Sequence, residues 1–296
     1  MNNSFQRRDD VTQALSQFDV VEQFKTAMFE DDIPPPDVII PDGAPHRFKI
    51  DGKLNGFYRL HTDGRAAGCY QDWKQHDKPI LWKLQGYTQR LTEAERRDFA
   101  EQRRSDEVKR QVEEVAKHEQ AASKARYVWQ NAKPSIEHPY LTLKKINPHR
   151  TRINQHGALI IPILNANFEL VNLQFINVDG SKRFLTGGQK KSCFWWIGKP
   201  TERLLIAEGF ATAASINEHT GEQTFIAFDA GNLESVAKVV RRRNPKAEII
   251  IMADHDLSGV GQSKARCAAL AIGGKYLVCP EPGQDFNDYF TSGGLK

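Results

Sequence analysis

From Lys199-Pro200 onward the sequence alternates short apolar runs with helical patterns, and no other feature constrains the fold as strongly. The stretches 203–207, 223–228, 247–253 and 275–279 read as strands, and 211–219, 232–242, 259–271 and 285–291 as helices. A strand–helix–strand order requires crossover connections, which predicts a parallel sheet with helices on both faces. Functional residues of such open sheets gather beyond the carboxyl ends of the strands.

Acids stand at those ends. The run Ile249-Ile250-Ile251-Met252-Ala253 leads into Asp254-His255-Asp256. Alternate residues of an extended segment point the same way, so Asp254 and Asp256 are expected to aim at one point, with His255 on the opposite side. Converging carboxylates call for a hard cation such as Mg²⁺. Glu208-Gly209 follows Leu204-Leu205-Ile206-Ala207, where Glu208 reads either as a functional acid or as a helix-capping carboxylate. Gly209 and the small residues after it suit a tight turn and close helix–sheet packing. Asp285-Phe286-Asn287-Asp288 supplies a third acidic group, read either as metal ligands or as an N-cap and a surface acid. Ser258, Gly259 and Gly261 open a helix whose amides favour phosphate, and Lys264 lies on its first turns as a phosphate contact or a surface lysine.

Upstream the patterns differ. Val11, Leu15, Phe18, Val21, Phe24 and Met28 recur at helical spacing between Asp9 and Phe29, and Pro34-Pro35-Pro36 ends that helix. Residues 46–83 read as a small β module, with hairpin turns at Asp51-Gly52 and Asp63-Gly64 and with Trp73 and Trp82 as core. From Thr92 to Asn131 the chain lacks proline and glycine and reads as one long exposed helix. Thr92 and Glu95 would form its capping box, and Val108, Val112, Val115, Ala122 and Trp129 a narrow apolar seam. Ala158–Ile163, Leu170–Ile176 and Arg183–Leu185 read as further strands. Basic pairs stand at Lys144-Lys145, Lys182-Arg183 and Lys190-Lys191, with a triplet at Arg241-Arg242-Arg243.

The four cysteines, Cys69, Cys193, Cys267 and Cys279, include no Cys-x-x-Cys pair and read as buried free thiols. The sequence shows neither an apolar signal core after Met1 nor a run long enough to span a membrane, and a cytoplasmic protein is expected. It also carries no Gly-x-x-x-x-Gly-Lys-Ser/Thr motif for ATP.

Taken together, Glu208-Gly209, Asp254-x-Asp256 and Asp285-Phe286-Asn287-Asp288 resemble the Toprim domain. The string Glu208-Gly209-Phe210-Ala211-Thr212-Ala213 resembles the Toprim primases of phages and plasmids in particular. So do His138-Pro139-Tyr140-Leu141 with Lys144-Lys145-Ile146, and Asp179-Gly180-Ser181-Lys182-Arg183-Phe184-Leu185. The resemblance implies an α/β fold with an α+β N-terminal part. A Toprim-type parallel sheet flanked by helices would follow a mixed, β-rich primase-core half and a small β module like a zinc ribbon. The corresponding segments are a helix in 1–33, the β module at 41–86, a connecting helix at 91–132, the first half of the core at 133–200 and the Toprim segment at 201–296.

Such primases make short RNA primers on single-stranded DNA by metal-dependent nucleotidyl transfer. The resemblance implies Glu208, Asp254 and Asp256 as catalytic residues. It implies Mg²⁺ or Mn²⁺ held by Glu208, Asp254, Asp256, Asp285 and Asp288, with Asn287 where the family often has an acid. Lys144, Lys145, Lys182, Arg183, Lys190, Lys191 and Lys264 would bind template or nucleotide. The implied partners are single-stranded DNA, ribonucleoside triphosphates and a separate replicative helicase, with no membrane. Zinc is not expected in the β module, because His46, His61, His76 and Cys69 lack paired ligand spacing. A Toprim nuclease and a non-catalytic DNA-binding accessory protein are the alternative functions.

Overall fold

The computed structural model describes residues 17–62, 66–76, 78–85 and 93–293. The N-terminal helical positions Val11 and Leu15, the Asp63-Gly64 turn and the Thr92 capping box lie outside these described residues. The chain divides into two compact units, Met1–Arg104 and Ser105–Lys296.

The first unit pairs helix α1 (Gln17–Glu30) with an antiparallel sheet. Its strands β1 (His46–Ile50), β2 (Lys53–His61), β3 (Ala67–Asp72) and β4 (Ile80–Lys83) lie in chain order. The Asp51-Gly52 turn forms as expected: Ile50 pairs with Lys53, and both turn residues have positive φ (51° and 75°), the condition for a two-residue hairpin that matches strand twist. Alternation along the strands sends Tyr58, Leu60, Tyr70 and Trp82 to one face, where Val20, Phe24 and Met28 of α1 cover them. The Phe24 ring meets Tyr70 at 5.4 Å and Trp82 at 5.2 Å, both edge-on, an arrangement that adds to simple burial.

Only one of the two expected core tryptophans is in this core. Trp82 is buried, whereas Trp73 is 49% exposed, because it stands past the end of β3 and turns to the other side of the sheet, stacking on Phe57. Two of the residues considered as zinc ligands are also on opposite faces: His46 stacks on Tyr58 inside, and Cys69 pairs with Arg59 outside.

In the second unit, the long helix α2 (Glu93–Asn131), in which the boundary between the units falls, is continuous as expected. Its seam packs only toward the C-terminus: Val108, Val112 and Val115 are exposed, while Ala121, Ala122 and Ala125 are buried. There follow β5 (Lys133–Pro134), α3 (Pro139–Lys144), β6 (Arg152–Ile153), β7 (Leu159–Leu164), β8 (Leu170–Ile176) and β9 (Lys182–Phe184). These five strands form an antiparallel sheet in chain order, and every residue of β7 is buried.

The second sheet contains β10 (Trp195–Ile197), β11 (Arg203–Ala207), β12 (Gln223–Ile226), β13 (Glu248–Ala253) and β14 (Lys275–Val278) in the order β10-β12-β11-β13-β14. Strands β11 to β14 are parallel, and β10 adds an antiparallel edge. The helices α4 (Phe210–Thr220), α5 (Leu233–Arg243), α6 (Val260–Ala271) and α7 (Phe286–Thr291) alternate with them, as the sequence pattern requires. The third of these strands in the chain stops at Ile226 rather than 228, because Phe228 adopts a left-handed backbone (φ 71°) that leaves the ladder. One core lies between the two sheets, with α4 and α7. A second lies on the far side of the parallel sheet under α5 and α6. Leu164 and Phe194 exchange backbone hydrogen bonds of 2.9 and 2.8 Å, joining the end of β7 to the residue just before β10.

All four cysteines are free; Cys193 and Cys279 are buried, but Cys267 is exposed on α6 rather than buried as expected. Among the described residues no helix is long and apolar enough to cross a membrane.

Candidate active site

Strands β12 and β13 flank β11 on opposite sides, so the order of the sheet switches at β11, and ligands of open α/β sheets bind beyond the carboxyl ends at such a point. The parallel register pairs Ala207 with Met252, which brings Glu208, the residue after β11, level with the end of β13 and Asp254. Gly209 caps α4 with φ −104°, a backbone open to any residue, so the tight turn expected of it is absent. The small residues after it do what their size suggests: Ala211, Thr212, Ala213, Ala214 and Ser215 are all buried, and the helix lies close on the sheet.

The acids at these ends perturb one another. Burial pushes the Asp254 carboxyl up to about 7, helped by the charges of Asp285 and Glu208 and opposed by Lys182. Its Oδ1 is buried without a hydrogen-bond partner. Glu208 is also raised, first by burial and then by the charge of Asp229; Lys182 and the Ala230 amide oppose this. Lys182 reaches the cluster from β9. Desolvation, together with the charge of nearby Lys144, lowers its pKa. Asp285, Glu208 and Asp254 hold it up.

Asp256 behaves differently. Strand β13 ends at Ala253, and Asp256 stands three residues beyond it. The Asp256 carboxylate instead accepts from Ser258 Oγ at 2.7 Å and from the Gly261 amide at 2.8 Å, and its pKa is lowered, chiefly by the Ser258 hydroxyl. His255 turns away as expected, with Nδ1 2.8 Å from the Cys279 carbonyl.

Asp285 caps α7, accepting from the Asp288 amide at 2.8 Å, and it also receives Thr212 Oγ1 at 3.3 Å. Asp288 accepts from Lys144 Nζ at 2.9 Å. Asn287 is fully buried and donates to the Lys144 carbonyl and to Ser215 Oγ, each at 2.7 Å. Tyr140, on α3, is buried with an unpartnered hydroxyl; burial raises its pKa, and so do the charges of Asp285 and Asp288. Its helix is held by His138, whose Nδ1 accepts from the Tyr140 amide at 3.2 Å.

The remaining basic residues divide. Lys190 pairs with Asp229 at 2.6 Å. Arg183 lies on the face of its sheet opposite Lys182, its guanidinium 4.8 Å from the Phe175 ring. Lys145 is the left-handed C-cap of α3, and Lys191 and Lys264 are exposed. Sequence reading did not single out Asp229, although it follows a strand end as Glu208 does. It also passed over Asn232, whose amide donates to the carbonyls of Ala227, Lys190 and Cys193 and fastens the Lys190 segment to the parallel sheet.

Among the described residues, no three His, Cys, Asp or Glu side chains are gathered as a ready-made metal group. The acids sense each other's charge without meeting at ligand distance. Their chemistry nonetheless fits a hard divalent cation: the donors are carboxylate oxygens, Asp254 Oδ1 has no partner, and the raised Glu208 and Asp254 carry repulsion that a cation would relieve.

Residues 203–296 match the Toprim domain family. This segment of the chain is Toprim-like. The match starts at the first residue of β11 and takes in Glu208, Asp254, Asp256, Asp285 and Asp288. The chain is 33% identical over 257 residues to the DNA primase TraC of Escherichia coli, covering 80% of this chain and 24% of that protein. A second Escherichia coli DNA primase TraC is 34% identical over 258 residues, covering 80% and 18%. The chain thus spans no more than about a quarter of the length of these relatives. Among solved structures, the primase fragment of the bacteriophage T7 primase-helicase protein is similar, with a TM-score of 0.45, 16% identity, and 56% of this chain and 74% of that one covered.

Proposed function

We propose that this protein is a DNA primase that joins ribonucleotides into short RNA primers on single-stranded DNA. The observation that carries this reading is the reach of the similarity to DNA primase TraC. It spans 257 residues, far beyond the Toprim segment. A likeness confined to residues 203–296 would suit a nuclease equally well.

In this reading the 3′-hydroxyl of the growing primer attacks the α-phosphorus of a ribonucleoside triphosphate, the new P–O bond forms, and pyrophosphate leaves. Glu208, its carboxyl raised by burial, takes the hydroxyl proton. Asp254, Asp256 and Asp285 would hold Mg²⁺ or Mn²⁺. A bound divalent cation supplies charge against the phosphate oxygens and the developing alkoxide. Lys182 faces the same acids and is assigned to the phosphates of the incoming nucleotide, together with Lys190. Asp288, paired with Lys144, orients that lysine instead of binding metal. Arg183, on the other side of its sheet, is left out of this set.

The test is primer synthesis on single-stranded DNA with labelled ribonucleotides and Mg²⁺ or Mn²⁺, comparing wild type with Asp254→Ala/Asp256→Ala. Short products from wild type alone support the reading. Metal-dependent loss of the template without products would replace it with a nuclease.

A further inference from the structure

Lys182 is held differently from the other cations near the acids. Lys144 is paired with Asp288 at 2.9 Å and Lys190 with Asp229 at 2.6 Å. Lys182 feels Asp285, Glu208 and Asp254 by charge, but among the described residues no carboxylate is hydrogen-bonded to its ammonium. A lysine stem has wide rotamer freedom, so an ammonium that must meet a phosphate at one place needs another surface to hold it there.

Tyr140 offers that surface. The Lys182 nitrogen lies 5.8 Å from the centroid of the Tyr140 ring, inside the range over which a ring face attracts an ammonium. The ring itself is fixed. It is buried, and the Tyr140 amide donates to His138 Nδ1 at 3.2 Å. A Cβ placed on Gly180 would stand 3.9 Å from Tyr140 Cδ2, so the ring lies against the turn that leads into β9 and Lys182. At its other end α3 is bonded to α7, where Asn287 Nδ2 reaches the Lys144 carbonyl at 2.7 Å. One short helix thus touches both the hairpin that carries Lys182 and the helix that Asp285 caps. The Tyr140 hydroxyl is buried without a partner, so the ring face is the part of this side chain that meets the charge.

We propose that Tyr140 is a positioning residue, its ring face holding the Lys182 ammonium beside the acids, where that ammonium meets the phosphates of an incoming ribonucleoside triphosphate. The phosphate role of Lys182 rests on the primase reading. An aliphatic side chain could fill the same core, but it has no negative ring face to offer an ammonium. If Tyr140 were core and nothing more, replacing it would change stability and leave the work of Lys182 untouched.

The experiment is a double-mutant cycle on the full chain, read by calorimetric binding of ATP with Mg²⁺ and, in parallel, by kcat/KM for primer synthesis. Tyr140→Phe, Tyr140→Leu and Lys182→Met are compared with wild type, Tyr140→Leu is combined with Lys182→Met, and each thermal midpoint is checked. Tyr140→Met, which fills more of the ring's volume, takes the place of the leucine variant if that one does not fold. Lys182→Met should weaken ATP binding about tenfold or more, the scale of a hydrogen bond to a charged group. Tyr140→Leu should weaken it about three- to fivefold, and Tyr140→Phe, which keeps the ring face, less than about twofold. On the Lys182→Met background Tyr140→Leu should cost nothing further, because the two residues act as one. Equal losses from Tyr140→Leu on both backgrounds would overturn the proposal, as would a phenylalanine variant as weak as the leucine one. ATP binding that shows the coupling, without any primers from wild type, would sink the primase reading and leave the placement of Lys182 standing. Primers made by a protein in which Tyr140 and Lys182 are uncoupled would do the reverse, and neither binding nor primers would overturn both.

Discussion

Lys144 is tied twice to the Asn287-Asp288 pair across the fold: the Asn287 side chain donates to the Lys144 carbonyl at 2.7 Å, and Asp288 receives the Lys144 ammonium at 2.9 Å. The residue that stands where the Toprim family often has an acid is thus a buried fastener between α3 and α7. Asn287→Ala should destabilise the protein by about 1–3 kcal/mol, since it strands a buried carbonyl and a hydroxyl. Asn287→Asp should be at least as costly, because a carboxylate would face the same carbonyl. Urea unfolding of the three proteins decides this, and an Asp variant as stable as wild type would refute it.

A second prediction concerns pH. The Asp254 carboxyl titrates at about 7 in the fold, above the ordinary 3.8. A raised carboxylate contributes stability that is present below its ordinary value and lost as pH rises through the folded one. Without divalent cation, the protein should lose stability between about pH 4 and 7 through this group. Mg²⁺ should therefore raise the melting temperature more at pH 8 than at pH 5, by a few degrees, where about 2–4 °C corresponds to 1 kcal/mol. Asp254→Asn should remove most of that difference in differential scanning fluorimetry.

Strand alternation separates two adjacent cations. Lys182 faces the acids and Arg183 stacks on Phe175 across the sheet. Lys182→Met should cut kcat/KM for primer synthesis by about 10²–10³, the scale of losing one preorganised charge at a reacting phosphate. Arg183→Met should change it by less than about fivefold, within the range of indirect packing effects. Equal losses would mean that the two share one role.

The turn after β13 gives a steric prediction. A Cβ on Gly261 would stand 2.5 Å from Asp256 Oδ2, the atom that receives the Gly261 amide. Gly261→Ala should dislodge the carboxylate from its cap and destabilise the protein by about 1 kcal/mol, as loss of an N-cap does. Asp256→Asn, which keeps an acceptor, should cost less. Thermal unfolding of the two variants checks the order.

The parallel half of the fold was legible because β11 and β13 are nearly pure apolar runs, and Glu208 and Asp254 stand out as the first charges beyond them. What the alternation could not convey is where the ladder ends. Asp256 stands three residues past the end of β13, and the Gly261 amide takes one of its carboxylate oxygens, a partner the alternation could not announce. Asp229 escaped notice because Phe228 continues the apolar run and masks the true end of β12 at Ile226. Trp73 was assigned inward on hydrophobicity alone, whereas the sheet's parity ends with Asp72 and the indole lies outside. Asn287 looked like a missing acid because its partners, Lys144 and Ser215, are distant in sequence.

The reciprocal hydrogen bonds between Leu164 and Phe194 have a consequence for how substrate would be met. Lys182 belongs to one sheet and the acids to the other, and these sheets are welded at that point and share one close-packed interior. Folding itself then sets the spacing between the lysine and the carboxylates, and on the primase reading a triphosphate would have to fit a gauge already cut.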